Sequence, residues 1–369
     1  MIYFDSAATT LQKPPSVSRA VAAAITSMTT PGRGDYAPAR RAAECVLALR
    51  TEAAAFFGLS SPEGVVLTQN ATHGLNLAIR SLVKPGGRAV ISGYEHNAVT
   101  RPLHAIGDVS VKVVNAPLFD AHRMAEGFRK ALGEGADAVI CTQVSNVFGC
   151  ELPIAEIAAI CREKGVPLVV DASQSAGIVP VEMGKWGAAY AAMPGHKGLY
   201  GPQGTGLLLC GEGQMPDSLL QGGTGSLSRQ QEMPDFLPDR VEAGTQNIHG
   251  AAGLLEGLRF VRKLGTEPIR RHEGRLMGAL ARGLERGGRF RVFFDHAHPG
   301  SVLSVVPVRE GVEELAEKLE NRGVAVRAGL HCAPLAHLSA GTLDTGTVRF
   351  SASAFNTMEE VERVLAMLG

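Results

Sequence analysis

The sequence predicts an α/β fold, with a large, mainly parallel sheet and a smaller α+β unit toward the C-terminus. Two observations predict it. Short apolar runs alternate with helix-patterned stretches through the first half of the chain, the pattern of βα units. After a Gly-, Ser-, Gln- and Pro-rich stretch at 221–240 the pattern changes, and strand-like and helical segments interleave differently.

In order, Ile2-Tyr3-Phe4 is strand-like, and residues 38–57 carry helical spacing that stops at Gly58. Val65-Val66-Leu67, Ala89-Val90-Ile91, Val111-Lys112-Val113-Val114, Ala138-Val139-Ile140 and Leu168-Val169-Val170 read as buried strands. Helical stretches at 72–83, 98–105, 121–132 and 154–164 separate them. Apolar runs at 188–193 and 206–210 follow, then the loop-like 221–240 and a helix at 248–264. Beyond it, strands are expected at 291–294, 301–306, 324–327 and 347–351, with helices at 271–286, 312–321 and 358–368.

The 369 residues leave room for two domains, and 45% apolar with 20% charged content is ordinary for a soluble globular chain. Lys plus Arg equals Asp plus Glu at 36 each, so no basic surplus points to nucleic acid or an anionic membrane. One Trp and five Tyr also argue against a base-stacking surface. No charged, apolar leader opens the chain, and no 18-residue apolar run occurs. Six cysteines lie far apart without a CxxC pair, which favours reduced thiols and a cytoplasmic location.

Two segments carry chemistry. Lys197 lies in Met193-Pro194-Gly195-His196-Lys197-Gly198, after one apolar run and before a glycine-rich turn. A lysine held at the end of a buried strand loses solvation and becomes a nucleophilic amine. Taken alone, it also reads as a solvated surface group. Asp171 ends the strand-like Val166-Pro167-Leu168-Val169-Val170, and Gln174 follows. Ligands of open α/β sheets bind beyond the carboxyl ends of the strands, so both point toward a ligand. Asp171 as a helix cap is the simpler alternative.

The strand-Asp-x-x-Gln element and the Gly-His-Lys element resemble the pyridoxal-phosphate (PLP) enzymes of aminotransferase class V, in the cysteine desulfurase and selenocysteine lyase branch. Further motifs in the family's order are Tyr3-Phe4-Asp5-Ser6-Ala7-Ala8-Thr9-Thr10, Ala71-Thr72-His73-Gly74, Tyr94-Glu95-His96-Asn97, Val144-Ser145-Asn146-Val147-Phe148-Gly149, Glu242-Ala243-Gly244-Thr245 and Arg327-Ala328-Gly329-Leu330-His331-Cys332-Ala333. The resemblance implies a PLP-dependent transferase fold of type I. It implies a large domain over 13–250 and a small one made of 1–12 with 251–369.

It also implies roles. Lys197 is the Schiff-base lysine and proton shuttle, Asp171 pairs with the ring nitrogen, Gln174 bonds the phenolic oxygen, and His96 covers the ring. Thr72 and His196 hold the phosphate, while Thr245 reaches the phosphate of a second subunit, which implies a homodimer. Thr72 as a plain helix cap, and His96 as an ordinary helix-start histidine, are the alternatives. Arg349 resembles the clamp on the substrate α-carboxylate, with Asn146 assisting; a guanidinium binds a carboxylate through two parallel hydrogen bonds. Without the motif, Arg349 reads as a surface strand arginine.

Cys332 would take sulfur as a persulfide for an acceptor protein, its thiol made acidic by Arg327 and His331. Its alternatives are an inert thiol, or a metal site with His331 and His337 that matches no common zinc spacing. One departure stands out: Pro194 occupies the position where the family usually has Ser or Thr on the phosphate. No Walker motif occurs, and the Gly-rich turn at 201–206 lacks the dinucleotide fingerprint. The reading is a PLP-dependent enzyme that removes sulfur or selenium from L-cysteine or L-selenocysteine. The alternatives are a class V aminotransferase, epimerase or lyase acting on another amino acid, and a non-enzymatic sulfur-relay scaffold.

Overall fold

The computed structural model describes residues 1–32 and 34–368. Its strands are β1 (Ile2–Tyr3), β2 (Val65–Thr68), β3 (Arg88–Ser92), β4 (Ser110–Val114), β5 (Ala138–Thr142), β6 (Leu168–Asp171), β7 (Tyr190–Pro194), β8 (Gly206–Cys210), β9 (Phe290–Phe293), β10 (Val302–Pro307), β11 (Val324–Ala325), β12 (Arg327–Gly329) and β13 (Thr347–Ser351).

The large sheet has seven strands in the order β2-β8-β7-β6-β5-β3-β4. Strands β7, β6, β5, β3 and β4 run parallel, and β8 is antiparallel to both of its neighbours. The fold is therefore α/β with a mixed, mostly parallel sheet. Helices cover both faces, so β5, β6, β7 and β8 are buried at every residue and read as unbroken apolar runs. Ile140, Val169, Val170 and Leu208 are fully buried, each contributing about 1.5–3 kcal/mol relative to exposure.

The second sheet is fully antiparallel, in the order β12-β13-β10-β9. Its core joins Leu303, Val305, Val348 and Phe350 to Leu276, Met277 and Leu280 of helix Thr266–Glu285. The N-terminal segment packs here. Strand β1 pairs in parallel with β11, Asp5 bridges Ser351, and Phe4 is fully buried.

One expected element differs. The run 324–327 is two strands in different sheets, because Val324–Ala325 pairs with β1 while Arg327–Gly329 pairs with β13. Helices Pro15–Ser27, Met183–Trp186 and Pro334–Ala340 also appear outside the expected set. Two of the three open on a proline at the first helical position, where its missing N–H costs nothing. Residues 221–240 hold no helix or strand. No helix among the described residues is long and apolar enough to cross a membrane.

Candidate active site

The carboxyl ends of β5, β6 and β7 open into one cleft of about 500 Å³, solvent-facing space included. It is lined by Thr72, His96, Asn146, Asp171, Gln174, His196 and Lys197, together with Pro194, Asn70 and Ser173. Residues scattered over more than 120 positions meet here because parallel strands all end on the same edge of the sheet.

Asp171 is 2% exposed, and its Oδ1 accepts from the Ser173 amide at 2.9 Å. A turn follows rather than a helix, so this bond fixes the carboxylate and caps no helix. Oδ2 has no hydrogen bond among the described residues. Gln174 Nε2 donates to the Ala7 carbonyl at 3.0 Å, which leaves one amide hydrogen free. His96 opens helix Asn97–Ile106, and its Nδ1 accepts from the Ala98 amide at 2.9 Å. Burial lowers its pKa, and Asp171 opposes that shift. The ring is therefore held with its proton on Nε2.

Lys197 follows β7, and its amine has no hydrogen-bond or ion-pair partner among the described residues. Burial lowers its pKa to about 8, with Arg349 adding to the effect and Asp171 opposing it. Its turn is braced from below. Gly177, at φ +91, lies against the Gly198 carbonyl so closely that any side chain would collide with it. His196 Nδ1 meets Thr9 Oγ1 at 3.0 Å, and burial lowers its pKa to about 4. The His196 carbonyl accepts from Lys13 Nζ at 3.0 Å.

Helix Ala71–Leu82 starts at the cleft. Its cap is Asn70, whose side chain accepts from the His73 amide at 2.9 Å. Thr72 is thus not the cap, and its hydroxyl and amide are left for a ligand. The free amides of a helix start attract an anion. Pro194 lines this cleft and brings no hydroxyl, while Thr72 and Ser173 do.

Arg349, Arg327, Cys332 and Thr245 do not line the cleft. Arg349 is 1% exposed and lies behind it, donating to the Asn146 carbonyl at 3.0 Å and to Asp5 Oδ1 at 2.7 Å. It is a buried arginine and no surface one. Asn146 in turn donates from Nδ2 to the His331 carbonyl at 2.8 Å. Thr245 is exposed and lines a different pocket, beside Gln69 and His73.

Cys332 is the one exposed cysteine among six free thiols. It sits in a four-residue connection between β12 and helix Pro334–Ala340. His331 and Cys332 are consecutive non-glycine residues in the left-handed region, at φ 49 and φ 57. Such residues cost roughly 1–3 kcal/mol each and persist only where surroundings hold them. Here the Asn97 amide donates to the Cys332 carbonyl at 2.8 Å, Asn146 holds the His331 carbonyl, and Ala333 closes the turn onto Leu330. Arg327 Nη2 lies 3.8 Å from Sγ.

His331 does not act on this thiol as expected. Its Nε2 meets the Thr347 carbonyl and hydroxyl at 3.1 Å, and burial drives its pKa to about 2. It is a neutral core histidine stacked on His337. The residues missed by sequence reasoning are Asp5, Ser173 and Glu95. Each lies within or beside a motif, but only the folded chain gives it a partner.

The residues fit a PLP group: an unpartnered, partly deprotonated amine, a buried carboxylate with one free oxygen, and free amides at a helix start lie around one cleft.

The chain is similar to known proteins over nearly its whole length. A probable cysteine desulfurase of Methanothermobacter thermautotrophicus is 31% identical over 98% of this chain and 92% of its own length. A probable cysteine desulfurase of Mycolicibacterium paratuberculosis is 30% identical over 98% of this chain, which spans 54% of that longer protein. The apo structure of cysteine desulfurase from Thermococcus onnurineus superposes with a TM-score of 0.90 at 29% identity, covering 100% of this chain and 93% of that one. Residues 2–364 match aminotransferase class-V, a PLP-dependent family, and the chain belongs to it.

Proposed function

We propose that this protein is a PLP-dependent cysteine desulfurase, active on L-cysteine and L-selenocysteine and releasing L-alanine. One observation carries the reading: an exposed thiol, Cys332, held in strained backbone and tied through Asn97 and Asn146 to the cleft that contains Lys197.

The cofactor, when bound, supplies an electron sink for the substrate α-carbon. Lys197 would hold it covalently. Asp171 would face its ring nitrogen, Gln174 its phenolic oxygen and His96 its ring face. Thr72, His196 and the start of helix Ala71–Leu82 would take the phosphate, with Thr245 of a second copy, so the working unit is a homodimer. Pro194 removes one hydroxyl from that cradle. Arg349, with Asn146 and Arg327, would take the substrate carboxylate.

Lys197, freed as an amine, removes the proton from the substrate α-carbon. The Cys332 thiolate attacks the substrate sulfur, forming an S–S bond as the Cβ–S bond breaks. The electron pair stays on the carbon skeleton, which takes up a proton and leaves as alanine. The sulfur remains on Cys332 as a persulfide until a thiol of an acceptor protein takes it. Buried free cysteines suit a reducing, cytoplasmic setting.

The test is the PLP-loaded protein with L-cysteine and a thiol reductant, with sulfide and alanine both quantified. Equal yields are expected. Pyruvate in place of alanine, or a sulfur-retaining keto acid without sulfide, would replace this reading with another class V reaction.

A further inference from the structure

Lys197 faces two spaces. One is the cleft. The other is a small, partly enclosed chamber that shares Gln174 and Lys197 with the cleft and is lined also by Ser6, Thr10, Tyr200, Glu273 and Ser351, with room for about one water molecule. The chamber is where the N-terminal segment, the Lys197 turn, helix Thr266–Glu285 and the end of β13 meet.

Its chemistry is incomplete without a ligand. Glu273 is fully buried, and the Tyr200 hydroxyl donates to its Oε1 at 3.3 Å. Its Oε2 has no partner, and neither does Ser6 Oγ, which is 6% exposed. Buried polar atoms left without partners are rare. Tyr200 closes the circuit to the lysine: its hydroxyl accepts from the Ala354 amide at 2.8 Å, and its amide donates to the Lys197 carbonyl at 2.9 Å. Burial lifts the Glu273 pKa to about 8, so at neutral pH it is an uncharged acid that donates one hydrogen. A single water there would accept that hydrogen, bond Ser6 Oγ and keep one further bond for Lys197, which lines the same pocket, the usual three bonds of a buried water.

We propose that this chamber is an ordered-water site in which Glu273 and Ser6 hold one water against Lys197, making Glu273 a positioning residue for the reactive amine. The inference rests on Lys197 being the PLP-binding lysine. The water would solvate the ammonium form from the second pocket rather than from the cleft. Replacing it by an apolar group favours the free amine. The charged and titratable groups that also face Lys197, namely Arg349, Asp171, Arg327, Asp5, His96 and His196, stay the same in the variants below.

The experiment has two readouts. The first is a crystal structure of the full chain at a resolution that shows waters. The second is the pH dependence of borohydride-trapped PLP attachment at the Lys197 peptide of the apoprotein. Wild type and Glu273→Gln are expected to show a water bonded to Ser6 and residue 273, with the same half-point of labelling. Glu273→Leu loses the water and labels about threefold faster at pH 7, half a pKa unit of difference. Ser6→Ala, which removes the other anchor without crowding, shifts in the same direction. A dry chamber in the wild type, a Leu profile that overlays the wild type, or a Gln variant that shifts as far as Leu overturns the inference. If PLP attaches to Lys197 in none of these proteins, the cofactor reading fails, and the water density still decides this one.

Discussion

Arg349 Nη2 donates to Asp5 Oδ1 at 2.7 Å, across 344 positions of sequence. The guanidinium is 1% exposed, and its second arm, Nη1, is held by the Asn146 carbonyl. Its Nε is buried without a partner. The group assigned to the substrate carboxylate is therefore clasped by the protein's own carboxylate, which also pins the N-terminal segment against β13. Burial lowers the Arg349 pKa, and Asp5 opposes that shift.

Removing Asp5 leaves a buried, unpaired cation. Breaking a buried pair costs about 3–5 kcal/mol, and Asp5→Ala is expected near the lower end because Asp5 keeps some exposure. Urea unfolding of wild type and variant measures it, and a loss under about 1 kcal/mol would show that the clasp is not structural. Arg349→Lys keeps the charge without the fork. It is expected to raise KM for cysteine at least ~10-fold with a smaller change in kcat.

Lys197→Ala is expected to abolish covalent attachment of the cofactor. Wild-type protein incubated with PLP turns yellow, and borohydride then fixes one PLP per chain on the Lys197 peptide by mass spectrometry. A wild type that stays colourless sinks the cofactor assignment.

Cys332→Ala is expected to retain PLP and its spectrum, because the thiol is outside the cleft. Its sulfide release should fall by ~10²-fold or more, as when a covalent step loses its nucleophile. Activity on selenocysteine is expected to survive, since the selenium is more weakly bound. Full activity on cysteine in the variant would exclude the persulfide route.

Thr245 stands exposed outside its own cleft, so its assigned phosphate contact requires a second copy. Sedimentation at micromolar concentration is expected to give a dimer, and Thr245→Ala to weaken PLP retention. A monomer with full PLP occupancy contradicts both.

Glu95 gives a pH dependence with a definite sign. It is fully buried, accepts from the Thr142 amide at 2.8 Å, and leaves Oε2 unpartnered. Burial raises its pKa from 4.5 to about 8. Below pH 4.5 both folded and unfolded chains hold this proton and it costs nothing. Between 4.5 and 8 only the folded chain holds it, so stability falls as pH rises, and above 8 the full cost remains. Glu95→Gln is expected to flatten the decline of unfolding free energy between pH 5 and 8. An unchanged slope would show that Glu95 is ionised in the fold.

The sequence by itself determined the βα alternation, the run of buried parallel strands, and the lysine and carboxylate at their ends. Those features are local: an apolar run that ends on or just before a charged residue marks both a strand and its functional edge. Tertiary structure alone decided what meets. Strand β12 splits from β11 because two different sheets claim adjacent residues, which no periodicity reveals. His331 turned out to be neutral and inward because its ring is buried against Thr347, although it adjoins Cys332 in the chain. Asn70, one position outside the quoted motif, took the capping role that was the alternative reading of Thr72. Asp5 and Arg349, and Glu273 and Lys197, lie far apart in sequence. Their relationships arise only when the N-terminal segment and the C-terminal sheet close over the carboxyl edge of the large sheet.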